Sequence, residues 1–522
     1  MQHKKLNRRD FIKLTSLASA ALPITLGGFP LFANKAPKNF QFNEENTNVL
    51  VLIQLQGGND GLNTIFDANQ YDNLQNVRSN IIVDESSLLE VNATTRFHPN
   101  LTGLQQLWQQ EKITIVQNVA YPNQNRSHFR STDIWNTASD ANEFISSGWL
   151  GRFFDINHEV FPENYPNENY PDPFAITIGK VVSETCQGNN SNFSSVIVNP
   201  ENPGTAFVSN TSNIPNNCYG DVLTFVNNTV KQTNAYATVI QNAAETGNNV
   251  STKYPNTSLA NKLKNVAKLI SGGLKTKVYV VQIGGFDTHD NQVVDGTTNT
   301  GIHAELLKEL SDAMLAFQDD LELLNIADRV IGMTYSEFGR RIRSNASLGT
   351  DHGTAAPLFV FGNCVNNEIL GDTPEIDTQV DDQEGVALQF DFRNVYSTIL
   401  TDWLGATKQE SSTILFDNFD ALPLFKSGCS AALSVDEFNS EELFKVYPNP
   451  SSDFIKIDFK TTTNASRIRI YNTLGSIVKE FNNIQLAGKK SISIDIRNLS
   501  KGNYFIHFQT KGVSKTKKLL KY

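Results

Sequence analysis

Hydrophobic positions follow two patterns along the chain, and the change falls near Glu437. Before it, short and nearly unbroken apolar runs recur at Asn48–Leu55, Ile113–Val116, Lys277–Ile283, Val330–Thr334 and Pro357–Phe361. Such runs suit strands buried on both faces of a parallel sheet. Between them, Leu101–Trp108, Ser258–Ser271, Ile302–Leu324 and Phe392–Leu404 place apolar residues three and four apart, which predicts amphipathic helices. Strand, helix, strand at these lengths predicts an α/β doubly wound sheet. Residues 136–249 are rich in Asn, Pro, Gly and Ser and read as a loop-rich insertion over that core, with short apolar pieces such as Phe174–Ile178. From 444 to 522 the pattern becomes strict alternation, as in FIKIDF at Phe454–Phe459 and ISIDI at Ile492–Ile496. That period of two, with turn residues between the runs, predicts a separate, small antiparallel β-sandwich.

Length and charge narrow the picture. A chain of 522 residues is too long for one ordinary domain. A net charge of −10 argues against nucleic acid as a partner, because phosphate binding needs basic surface. Asn7-Arg8-Arg9-Asp10-Phe11-Ile12-Lys13 precedes an uncharged stretch from Leu14 to Ala33. Paired arginines before a weakly apolar segment resemble a twin-arginine export signal, so residues 1–35 are set aside as a leader. No later stretch is long and apolar enough to span a bilayer. Of the four cysteines, Cys186 and Cys218 flank an Asn-rich loop and are a plausible pair, while Cys364 and Cys429 have no assigned partner; spacing alone leaves the connectivity open.

The candidate chemistry lies where the predicted strands end. Asn59-Asp60 follows the first strand in GGNDGLN, Asp287 and His289 follow another in GGFDTHDNQ, and Glu337 follows a third. Asp351-His352 precedes the run at Pro357. Ligands bind beyond the carboxyl ends of strands in α/β sheets. Carboxylates mixed with imidazole suit zinc, manganese or magnesium. Asp60, Asp287, His289, Glu337, Asp351 and His352 are therefore candidate metal ligands. Ser127, in NRSHFRSTD after the second strand, is a candidate nucleophile beside Arg126, His128 and Arg130; a helix N-cap is its plain alternative. Arg126 and Arg340 are candidates to hold a substrate anion.

These motifs carry a resemblance. The leader, LIQLQGGNDGLNT, YPNQNRSHFRSTDIW, GGFDTHDNQ and SEFGRRIRSNASLGTDHGTAAPLFVFG together resemble an exported bacterial family of unknown function, number 1501 (DUF1501), over about 1–430. That family is similar in turn to the alkaline phosphatase–sulfatase superfamily. The resemblance implies an alkaline-phosphatase-like central sheet flanked by helices over 45–430, with metal at the strand ends. It also implies metal-assisted hydrolysis of a small anionic phosphate or sulfate ester. On this alignment Glu337-Phe338-Gly339 stands where the superfamily has Asp-His-Gly, and Phe338 cannot ligate a metal; the other alignment puts Asp351-His352-Gly353 there. A surface binding or structural protein without turnover is the competing implication. VYPNPSSDFIKIDF, IYNTLGSIVKEF, LSKGNYFIHFQTKG and KKLLKY resemble the sorting domain of the type IX secretion system over 444–522. Joined to a twin-arginine leader, that tail implies both export machineries as partners and delivery by way of the periplasm to the cell surface or medium.

Overall fold

The computed structural model describes residues 46–429 except 159, 205–213 and 216. It also describes 444–522 except 460–464, 473–476, 485–490 and 510–513, and backbone pairing at Thr25–Leu26 and Phe29–Pro30. The leader expected at 1–35 otherwise lies outside the described residues. The chain divides into two compact units, Met1–Ala432 and Leu433–Tyr522.

The first unit is built on a nine-stranded sheet. Its strands are β1 (Val49–Gln56), β2 (Ile113–Ala120), β3 (Ala175–Ile178), β4 (Ser194–Ile197), β5 (Val278–Gly284), β6 (Val330–Tyr335), β7 (Ala356–Phe361), β8 (Ile369–Leu370) and β9 (Phe390–Asp391). The spatial order is β8-β2-β7-β6-β1-β5-β3-β4, with β9 also pairing with β2. Neighbours are parallel except β7, which runs antiparallel to both β6 and β2, so the sheet is mixed. Side chains alternate across it. Val49, Val51, Ile53 and Leu55 of β1 join one apolar layer, and Leu50 and Leu52 join the other. Both faces are covered, which is why the strand reads as an unbroken apolar run.

Seven helices matter here: α1 (Tyr71–Arg78), α2 (Thr102–Gln109), α3 (His128–Thr137), α4 (Cys218–Thr246), α5 (Ser258–Ser271), α6 (Ile302–Leu323) and α7 (Phe392–Thr398). Apolar residues of α2, α5 and α6 pack on the face that takes Val49 and Val51. Ile134 and Trp135 of α3 and Val395 and Tyr396 of α7 pack on the opposite face. The stretch 136–249 holds more regular structure than its composition suggests. It supplies β3 and β4 to the sheet and the 29-residue α4. Four buried residues in β3 suffice for a strand, because parallel pairing with β5 supplies its backbone partners.

The cysteine reading is corrected: Cys364 and Cys429 form the disulfide, and Cys186 is a free, buried thiol. Cys186 sits fully inside the aromatic layer, and burial pushes its thiol up to about 12. No described helix is long and apolar enough to cross a membrane.

The second unit forms two antiparallel sheets, one of three strands and one of four. Ile455, Ile457 and Ile494 of the first meet Ile468, Ile470, Ile506 and Leu519 of the second in one core. This is the small β-sandwich that the alternation predicts.

Candidate metal centre

Three adjacent parallel strands, β6, β1 and β5, end side by side. Their carboxyl ends deliver Glu337, Gly57-Gly58 and Asp287 to one place. Gly57 has φ +121°, and a Cβ there would lie 2.2 Å from the Asp287 backbone nitrogen. A Cβ on Gly58 would meet the Phe338 ring at 2.5 Å. The two glycines thus let the β1 turn lie against both neighbouring loops. The loop after β6 folds back on itself: Arg341 N donates to Asp351 O at 3.0 Å and Gly353 N to Gly339 O at 2.8 Å. That pairing returns His352 to Asp287. α3 begins at His128, placing its imidazole over the same point.

Three imidazoles converge on the Asp287 carboxylate. Nε2 of His352 lies 3.1 Å and Nε2 of His289 3.2 Å from Asp287 Oδ1; Nε2 of His128 lies 3.4 Å from Oδ2. His128, Asp287 and His352 can offer ligand atoms all within 4.8 Å of one another. Each Nδ1 faces an acceptor and therefore carries the hydrogen. His128 donates to Glu337 Oε1 at 2.8 Å, His289 to Asp351 Oδ1 at 2.7 Å, and His352 to the Arg126 carbonyl at 2.8 Å. In the neutral rings this leaves every Nε2 with a lone pair aimed inward. The Nε2 atoms of His289 and His352 are 2.9 Å apart, a separation that calls for a shared proton or cation between them. Nε2 of His128 is buried without a hydrogen-bond partner among the described residues. A carboxylate or carbonyl behind each imidazole is the outer support that metal-bound histidines have. The donor set fits a divalent cation.

Electrostatics are consistent with this. Burial pushes the Asp287 carboxyl up, but the Arg340 guanidinium, and His352 when its Nε2 also carries a proton, outweigh it and hold the group below the usual carboxylate range. The hydrogen bond to Glu337 raises His128, and burial lowers His352. The same centre can thus be held by a proton or by a cation.

The other expected residues take different stations. Asp60 lies outside the cluster. It is 1% exposed, both its oxygens accept from Arg78 Nη1 at 3.0 Å, and Oδ2 also accepts from Gln292 at 2.7 Å. Burial raises its pKa, but Arg78 and His303 bring it below the usual value, so an internal guanidinium neutralises the acid that the sequence offers to a metal. Glu337, with Oε1 shared between His128 and the Gly57 amide at 2.9 Å, and Asp351, bonded to His289 and Arg341, stand behind the imidazoles. Arg340 is fully buried, and its guanidinium is committed to Gly58 O, Thr350 O, Phe286 O and Asp287 Oδ1. It faces Asp287 and not solvent, so it does not reach an incoming anion. Arg126, whose carbonyl accepts from His352, is half-buried, its pKa lowered by burial and by the nearby Arg341 charge. Ser127 is the exposed N-cap of α3, and its side chain makes no cap hydrogen bond. Phe338 is buried with its ring 4.9 Å from His128 and 4.6 Å from His352, an apolar wall of the centre.

Residues 265–410 match the protein family of unknown function DUF1501. The matched stretch contains Asp287, His289, Glu337, Arg340, Asp351 and His352, while His128 and Asp60 precede it. Residues 445–522 match the secretion system C-terminal sorting domain, which marks the chain for export to the cell surface or beyond. No curated protein matches the chain. Among solved structures, it is similar to a protein in the alkaline phosphatase superfamily from Vibrio parahaemolyticus, at 11% identity and TM-score 0.30, over 62% of each chain. It is similar also to the PsFucS1 sulfatase from Pseudoalteromonas sp., at 10% identity and TM-score 0.31, over 88% of this chain and 83% of that one. The lipoteichoic acid synthase LtaP from Listeria monocytogenes is similar at 10% identity and TM-score 0.32, over 84% and 88%. Likeness at this level says nothing about activity.

His128 is the residue that sequence reasoning passed over. It stands next to Ser127 in a motif already singled out, and the serine drew the attention. The usable signal was its place as the first residue of a helix that follows a strand end.

Proposed function

We propose that the protein is an exported, metal-dependent hydrolase of small phosphate or sulfate esters. The observation that carries this is the convergence of three Nε2 atoms on Asp287, each imidazole fixed through Nδ1. His128, His289, His352 and Asp287 hold the cation, and Glu337, Asp351 and the Arg126 carbonyl orient the imidazoles. When bound, zinc, manganese or magnesium supplies polarisation of the ester oxygen and a lowered pKa for an attacking hydroxyl. Arg126 holds the ester anion at the amino end of α3, where backbone N–H groups also favour negative charge. Ser127 is the attacking group: its Oγ bonds to phosphorus or sulfur, the alcohol leaves with the proton, and water then frees the anion. Arg340 keeps Asp287 ionised and in place. The ester class rests on the superfamily resemblance of the motifs, and the twin-arginine leader with the type IX tail gives the route through the periplasm.

Two observations favour a second reading, a surface binding protein that keeps the centre without turnover. Asp60 is sealed by Arg78, and Phe338 stands where the superfamily offers a ligand. Metal analysis of the purified full chain, followed by chromogenic phosphate and sulfate esters, separates the readings. The hydrolase predicts bound divalent metal and turnover that is lost on chelation and restored by zinc, manganese or magnesium. Bound metal without turnover selects the second reading, and absence of both sinks the metal centre. Turnover that survives Asp287→Ala would overturn the ligand assignment.

A further inference from the structure

The parallel strands also have amino ends. Asn46 and Thr47 lead into β1, Phe174 into β3, Lys277 into β5 and Arg329 into β6, and all of them line one cavity of about 530 Å³. β6, β1, β5 and β3 are consecutive neighbours, so the cavity spans four strand entrances. The eight residues of β1 extend roughly 26 Å at the usual strand rise. The cavity is therefore at the opposite pole of the sheet from the histidine cluster, and nothing in the proposed hydrolysis uses it.

Its walls are of two kinds. One is aromatic: the ring of Phe174 lies 4.2 Å from that of His158, 5.5 Å from Phe154 and 5.9 Å from Tyr170. Burial lowers His158 to about 4, so this wall is uncharged at neutral pH. The other wall is cationic. Lys275, Lys277 and Arg329 face the cavity against one acid, Asp172, in a chain whose net charge is −10. None of the three cations has an ion-pair partner among the described residues. Lys277 Nζ donates to the Asn46 carbonyl, and Arg329 donates to the carbonyls of Thr47 at 3.2 Å and Ile270 at 3.3 Å. Asp172 Oδ2 accepts from the backbone amide of Lys275 at 2.8 Å. Burial first, and then the adjacent Arg329 charge, push the Lys277 amine down to about 8.

We propose that this cavity binds a small organic anion with a flat aromatic body, its rings against Phe154 and Phe174 and its acid group on Lys277 and Arg329. The volume lies within the ordinary range for small-molecule sites, about 300–1,000 Å³. Arg329 suits a planar carboxylate through its fork of donors.

The probe is 2-naphthoate, compared with the neutral 2-naphthalenemethanol, by titration calorimetry on the full chain. The expected result is one site per chain, with naphthoate bound at least tenfold more tightly than the alcohol. Lys277→Met should weaken naphthoate at least tenfold and leave the alcohol within twofold. Lys275→Gln changes an exposed side chain that folding does not need, and should weaken naphthoate about threefold. Affinity for naphthoate should fall as pH rises through about 8, as Lys277 loses its proton. Metal content should be the same in both variants and the wild type. Equal affinity for acid and alcohol, no binding, or two variants that bind naphthoate as the wild type does would each overturn the proposal.

Discussion

Glu337→Ala separates an orienting carboxylate from a ligating one. Glu337 is 3% exposed, and its Oε1 accepts from His128 Nδ1 at 2.8 Å and from the Gly57 amide at 2.9 Å. The substitution leaves His128 free to rotate its Nε2 away from Asp287. Loss of an outer support of this kind typically weakens metal binding about 10–100-fold, or roughly 1.4–2.7 kcal/mol. Two buried donors also lose their acceptor, at about 1–3 kcal/mol of stability each, so urea unfolding must accompany the binding measurement. Glu337→Gln keeps one amide oxygen facing the two donors and should lose less than Glu337→Ala. His128→Ala removes the ligating nitrogen itself and should lose more. The assay is zinc competition with a chromophoric chelator at neutral pH, on full chains verified as folded. Wild-type affinity in Glu337→Ala would refute the orienting role. An effect equal to that of His128→Ala would make Glu337 a ligand, as its place after β6 first suggests.

Three further outcomes are expected. Arg78→Met strands the buried Asp60 and should cost about 3–5 kcal/mol in urea unfolding, much of it regained in Arg78→Met/Asp60→Leu. Because the Asp60 carboxyl is held below its ordinary value, its contribution is complete above about pH 4 and fades on acidification through the lower folded value; the stability gap between wild type and Asp60→Asn should close below about pH 4, and a gap constant with pH would refute the pairing. Gly57→Ala forces a Cβ into the Asp287 backbone and should lower both stability and zinc affinity, whereas Gly296→Ala, also at positive φ but facing open space, should leave zinc affinity unchanged. Cys364→Ser/Cys429→Ser opens a link across 65 residues and should cost about 2–5 kcal/mol; a urea midpoint insensitive to both this change and added reductant would show that the bond does not form.

The division of labour between sequence and fold shows in particular residues. The unbroken runs of β1, β5 and β6 announce a buried parallel sheet because both faces are covered, and the strict alternation of the tail announces a sandwich with one wet face per sheet. That Asp287, His289 and His352 lie together is legible because the ends of neighbouring strands fall side by side. The Asn-rich stretch hides β3 and β4, since a four-residue strand gets its hydrogen bonds from neighbours and carries little pattern of its own. Asp60 and Asp287 look alike in sequence, each following a strand and a Gly-Gly. Only tertiary structure sets Arg78, 18 residues away, against the first, and Arg340 with three imidazoles against the second. His128 joins the centre because α3 begins beyond the end of β2, which β7 and β6 separate from β1 in the sheet, and it is far from Asp287 in sequence. Sequence by itself determined which residues stand at strand ends. The tertiary structure decided which acid is sealed by a buried guanidinium and which also faces three imidazoles, because that depends on neighbours brought together from distant parts of the chain.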